Sequence, residues 1–200
     1  MAILTANNQS LTEITSLPSG VSGGALVLLE TQTASSDSTM SFTSGIDSTY
    51  DEYIFKFIDI HPGTDVRNFT FQVDTGTNTS YNQTMTTTQF NAQADEANSS
   101  AALGYNNSGD QAQGTAFQSI MERCGNDNDS CVVGSLHLFN PSSTTFVKHF
   151  MANCQAEQTA ESRNFFTAGY VNTTTALTRV QFKMSSGNID SGTIKLYGVT

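Results

Sequence analysis

Across most of its 200 residues the sequence repeats one pattern, short runs in which apolar and polar residues alternate singly, parted by clusters of Ser, Gly, Asn, Asp and Thr. In 67–75, RNFTFQVDT, Phe69, Phe71 and Val73 alternate with Thr70, Gln72 and Asp74. In 180–197, Val180, Phe182 and Met184 alternate with Gln181, Lys183 and Ser185. Gly187, Asn188, Asp190 and Ser191 then lead into Thr193–Tyr197. A two-residue period places every second side chain on one face of an extended chain, and no helix can present such a pattern to a core. The pattern predicts an all-β protein, with 180–197 as a β-hairpin.

The same reading predicts about ten strands: ALVLLETQ, STMSFT, YDEYIFKFIDIH, RNFTFQVDT, a Thr-rich strand over 79–91, VVGSLHLFN, TTFVKHFMAN, RNFFTAGYV, LTRVQFKMS and SGTIKLYGV. Strands of this number without helices point to a two-sheet β-sandwich of jelly-roll type. Tyr53–Ile60 is apolar on both parities apart from Lys56 and Asp59, which predicts a central strand covered on both sides. Residues 92–115 hold little apolar mass and are expected to form a long surface connection, with a short helix over 92–97. Predicted core positions are Phe55, Phe57, Phe69, Phe71, Phe182, Ile194 and Leu196.

Ahead of this domain, taken as 25–200, residues 1–24 carry spaced apolar residues Ile3, Leu4, Leu11, Ile14 and Leu17 in a Thr/Asn/Ser background and end in Gly-rich elements. They are expected to be a short extended N-terminal arm, either loosely ordered or a docking segment that orders on a partner.

Charge narrows the partners. Eight basic residues against 18 acidic ones give a formal charge of −10 and an isoelectric point near 4.4, a field that repels nucleic acid and anionic membrane surfaces. The first 20 residues have neither a basic n-region nor an apolar h-region, and no apolar run approaches a membrane span, which predicts no membrane insertion and assembly in a cytoplasm. Three cysteines, Cys124, Cys131 and Cys154, leave one unpaired in any disulfide scheme and are expected to be reduced.

Candidate chemistry is sparse. His137 and His149 flank a predicted hairpin, and if Phe139 faced Thr144 parity would send them to opposite faces. His61 precedes Pro62 at a strand end. The loop 125–131, GNDNDSC, offers Asp127 and Asp129 at spacings a calcium ion could use but lacks the glycine and terminal glutamate of a calcium loop, and the same residues suit a tight turn. No metal and no cofactor are expected. No Gly-x-Ser-x-Gly elbow is present, no cysteine has a context that would activate it, and Asp47, Asp51, Glu52, Asp95 and Glu96 have no spacing that defines a glycosidase pair. Asn-x-Ser/Thr triplets at Asn68, Asn82 and Asn172 are expected by chance at this Asn and Thr content.

The stretches 31–62, GNDND, 134–150 and 168–199 together resemble a module that recurs in virion proteins of tailed phages infecting marine bacteria, in small stand-alone proteins and at the ends of longer fibre proteins. The resemblance spans about 25–199, and its specific parts are LHLFNPSSTTFVKH and QFKMSSGNIDSGTIKLYG. It implies a non-catalytic protein on the exterior of the particle, as capsid decoration, head fibre or knob, or tail-fibre component. It supplies no catalytic residues.

With a sandwich at one end and the arm at the other, attachment to capsid or tail proteins is expected through residues 1–24. The second hypothesis is a carbohydrate-binding module contacting a host surface glycan, with Tyr50, Tyr53, Tyr81, Tyr105 and Tyr170 as ring platforms, foremost Tyr81 and Tyr105. A polysaccharide-degrading enzyme is the third. A homotrimer is expected because exposed sheet edges need protection and display gains avidity; the resemblance makes the threefold plausible. Its candidate contacts are Ile54, Ile58, Ile60 or Tyr197. The competing arrangement is a monomer whose second face is covered by its own loop 92–115.

Overall fold

A computed structural model describes residues 25–200, and the arm residues Ile3, Leu4, Leu11, Ile14 and Leu17 lie outside it. The described residues form twelve strands and no helix: β1 Leu26–Thr33, β2 Met40–Phe42, β3 Glu52–Pro62, β4 Arg67–Thr75, β5 Met85–Asp95, β6 Ala101–Tyr105, β7 Gln118–Cys124, β8 Val132–Phe139, β9 Lys148–Gln158, β10 Glu161–Val171, β11 Leu177–Met184 and β12 Ile189–Val199. They make an eight-stranded antiparallel sheet, β1-β12-β3-β8-β9-β10-β5-β6, and a four-stranded one, β2-β11-β4-β7.

That order is a jelly roll with two insertions. β4 pairs β7, β3 pairs β8, β2 pairs β11 and β1 pairs β12, four nested antiparallel pairs that alternate between the sheets as one long hairpin rolled up. β5 and β6 are inserted at the tip of that hairpin, and β9 and β10 between β8 and β11. All four extend the larger sheet beyond β8.

The core lies between the sheets, where the alternation predicts it. Phe55, Phe57, Phe69, Phe71, Phe182, Ile194 and Leu196 are all buried. The Phe182 ring sits 5.2 Å from Phe55, 5.3 Å from Phe57 and 5.8 Å from Phe69, so one residue of the small sheet holds three rings from both sheets.

Four expectations are corrected. Residues 180–197 are not a hairpin: β11 pairs β2 and β4, whereas β12 pairs β1 and β3, so the chain arches from one sheet to the other over 185–188. Arch and hairpin need the same turn residues and the same alternation, and only the partner strands distinguish them.

β3 is central, but among the described residues it has no second cover. Its inner side buries Tyr53, Phe55 and Phe57, while Lys56 and Ile58 are exposed on the other. Apolarity on both parities arises partly from a bulge, where Asp59 has φ +53° and the pairing with β8 shifts between Phe57 and Ile60. One extra residue reverses the parity, so Ile60 is in the core and not on the outer face.

No helix forms over 92–97, because β5 continues to Asp95 and turns into β6. The strands β6 and β7 lie where the sequence reading placed none.

Loop 92–115 does not cover the outer face either. Residues 106–117 continue the line of β6 along the edge of β5, where the Asn106, Gln111 and Gly114 backbones bond Gln89, Thr87 and Met85. Gln89 and Gln118 are buried there: Gln118 Nε2 donates to the Gly109 carbonyl and its Oε1 accepts from the Thr87 hydroxyl. The edge strand β7 of the small sheet meets β5 through polar side chains, Thr87 to Gln118 and Gln89 to the Ser119 carbonyl, and this segment packs beside them.

Candidate interaction face

Among the described residues nothing covers the outer side of the larger sheet. Register places its outward side chains in rows: Leu28, Tyr197, Ile54, His137, Met151, Ala168 and Thr88 form one, and Lys195, Lys56, Ser135, Asn153, Phe166, Phe90 and Tyr105 the next. Of the exposed large hydrophobic side chains among the described residues, all but Val66 and Phe146 lie on this face. Leu103 at 74% exposure and Met151 at 57% are extreme for residues of their kind.

Phe90 and Phe166 are cross-strand partners whose rings stack 4.9 Å apart. Tyr105, 55% exposed, continues the shelf as the β6 partner of Phe90, and its hydroxyl donates to Asp110 at 2.7 Å. Beside the shelf is a mostly apolar hollow of about 400 Å³ lined by Ser135, His137, Asn153 and Phe166 among others. His137 Nδ1 is 2.6 Å from Glu52 Oε1, an ion pair whenever the ring is protonated. A shallower hollow beside Met151 and Ala168 extends to His149 and Tyr170.

The predicted site residues fall unevenly on this geometry. Tyr105 and Tyr170 are on the open face. Tyr81 is only 6% exposed, with φ +46° and its amide bonded to Asp74, so it offers no platform. Tyr53 is fully buried with its hydroxyl on Asp47, and Tyr50 packs against it.

His137 and His149 share a face, contrary to the parity argument. The register pairs Leu138 with Phe150 because the connecting loop runs over 140–147, longer than the one assumed. His137 turns to Glu52, whereas His149 lies against the Tyr170 ring, 6.2 Å between centroids.

Asp127 and Asp129 sit on the exposed 125–131 turn, where the Asp127 carbonyl accepts from the Ser130 amide and lies 3.2 Å from His61 Nε2. No group of three His, Cys, Asp or Glu positioned to hold a metal occurs among the described residues.

The carboxylates serve local structure. Asp47 accepts from the Thr49 amide, and hydrogen bonding to the Thr49 side chain and then to its backbone holds the Asp47 pKa below the usual value. Asp95 is likewise lowered by hydrogen bonds from Ser99 and Ser100 across the β5–β6 turn. All three cysteines are free. Burial pushes the Cys124 thiol up to about 12 and Cys154 higher still.

Sequence reasoning missed Phe90, Phe166, Met151 and Leu103. One signal was present: in the pair Phe165-Phe166 a strand can bury only one ring on each face, so one of them had to point away from the core.

These features define a jelly-roll protein with an apolar and aromatic sheet face that no other described residue covers. No protein-family model matches the chain, and no curated protein or solved structure matches it.

Proposed function

We propose that this chain is a non-catalytic structural protein displayed on the exterior of a tailed-phage particle, attached to capsid or tail proteins through residues 1–24. Two things support the reading. The described residues form a jelly roll, an architecture suited to capsid and binding domains alike. The stretches that carry the resemblance, 136–149 and 181–198, are the β8–β9 connection and the β11–β12 arch of that roll.

The observation that carries the interaction part is the open face. An apolar surface of this extent on a chain of net charge −10 is suited to contact with other protein. Copies act together in this reading. A homotrimer would be held on the β1–β12–β3 side, where Ile58 is 40% exposed and Tyr197 half-buried. Ile54, only 8% exposed, contributes little there.

The test is location. An antibody against the domain should decorate intact particles, and deletion of residues 1–20 should leave a folded protein that no longer joins them. Absence from purified particles would end the reading.

A second reading, a carbohydrate-binding module contacting a host surface glycan, is favoured by one observation: the Phe90, Phe166 and Tyr105 shelf stands beside Asn153, Ser135 and His137, rings next to hydrogen-bonding groups. Binding on a glycan array that Tyr105→Ala and Phe166→Ala abolish would promote it. No binding on that array would remove it.

A further inference from the structure

Four strand edges close the two sheets, and three carry devices that discourage pairing with another chain. β1 is bulged between Leu28 and Glu30 and places a carboxylate there. β2 is three residues long. β7 carries the charged Glu122 and Arg123, has Arg123 at φ +57°, and meets β4 with two register shifts. Short strands, bulges and edge charges are the means by which a sheet avoids extension.

β6 has none of them. Ala101–Tyr105 pairs β5 without a shift, contains no charge and no proline, and is exposed at all five residues. Its outer edge, unpaired among the described residues, is the end of the larger sheet, with backbone groups positioned to accept another strand.

We infer that β6 is a dimerisation strand that pairs antiparallel with β6 of a second copy about a two-fold axis through Leu103. The sequence AALGY suits that register. Leu103 meets its own copy, the large Tyr105 stands opposite the small Ala101, and Gly104 opposite Ala102, so no two bulky side chains compete except the leucines on the axis. An isologous contact requires this kind of self-complementarity, and a strand centred on its largest aliphatic residue provides it.

The consequence is that the two eight-stranded sheets run on into each other and the Phe90–Phe166–Tyr105 shelves of both copies adjoin. Leu103, the most exposed large hydrophobic among the described residues, becomes covered. The acidic Asp95, Glu96 and Asp110 flank the seam in both copies, so added salt should strengthen the association by screening their repulsion. The contact lies at the opposite end of the sheet from β1–β12–β3, so it stands whether or not a threefold contact forms there, and it does not depend on the particle reading.

The full-length chain tests it in two ways. Leu103→Lys installs the missing edge charge at a position that is not packed, so the fold is retained. The mass by light scattering at micromolar concentration should fall by half, with the dissociation constant raised about tenfold or more. In a Cys131→Ser background, Leu103→Cys should form a 103–103 disulfide dimer under mild oxidation, because opposed antiparallel residues have Cα atoms within disulfide reach, about 4.5–5.5 Å. Thr145→Cys, exposed on another loop, should not.

A mass that Leu103→Lys leaves unchanged overturns the inference. This holds equally if the wild-type chain is a monomer or an oligomer held elsewhere, including through residues 1–24. A Leu103→Cys chain that crosslinks no faster than Thr145→Cys overturns it as well.

Discussion

Gly192 lies where two irregular strands meet, at the β12 register shift beside the β3 bulge at Asp59, and its φ of +114° is one that only glycine adopts readily. A Cβ there would come within 2.5 Å of the Asp59 carbonyl oxygen. Gly192→Ala should destabilise the protein by about 1–3 kcal/mol in urea unfolding, since neither the dihedral nor the contact can relax without moving two strands.

Lys148 is the opposite case, a residue whose chemistry conflicts with its place. It is fully buried at the end of the core, its Nζ donates to the Thr173 carbonyl at 3.1 Å, and no carboxylate pairs with it among the described residues. Burial lowers its pKa below the ordinary 10.5, so between the lowered value and 10.5 the unfolded chain binds the extra proton. The contribution of Lys148 to stability therefore increases as pH rises through that window. Unfolding midpoints of wild type and Lys148→Met, compared at pH 7 and near pH 10, should show the mutant's relative advantage shrinking at the higher pH. An advantage independent of pH would contradict this origin.

Among the elements, β5, β7 and segment 106–117 show how a sheet wider than its partner is closed. Gln118 bonds Thr87, Gln111, Gly109 and Ser119, and Gln89 bonds Ser119, Thr167 and Asn106, all beside segment 106–117. Removal of one amide strands several buried partners at once. Gln118→Ala should cost about 1–3 kcal/mol and speed amide exchange at Asn106, Gln111 and Gly114, while exchange in the Phe182 cluster changes only with global stability. The glutamines were unreadable in advance: their positions in the strand pattern are ordinary, and their burial follows only from the way β5, β7 and segment 106–117 come together. β4, by contrast, spans Arg67–Thr75 in the structure as in the sequence reading, because its alternation and flanking turn residues agree.

For the molecule as a whole, the two sheets close over two of its thiols and leave the third at the surface. Cys124 and Cys154 are buried in the common core, whereas Cys131 is half-buried, with its thiol pKa raised by burial and then by the nearby Asp59 charge. Native protein should label slowly at Cys131 alone. The other two thiols should appear only with global unfolding, and Asp59→Asn should accelerate the first phase by removing the negative charge 3.8 Å from the sulfur. Rapid labelling of all three would mean that the sandwich opens locally.

The all-β class and the seven predicted core residues were legible in the sequence, because period-two alternation and turn chemistry are local and each strand carries its own record of them. The existence of a reversal at 185–188 was equally legible. Whether that turn made a hairpin or an arch between sheets, whether His137 and His149 shared a face, and which of Ile54, Ile58 and Ile60 pointed outward depended on strand partners, loop length and a single bulged residue. These are relations between segments far apart in the chain. The open face is of the same kind, since an outward Phe166 and a buried Phe165 are chemically identical in the sequence, and only the placement of the smaller sheet determines which of them meets a core.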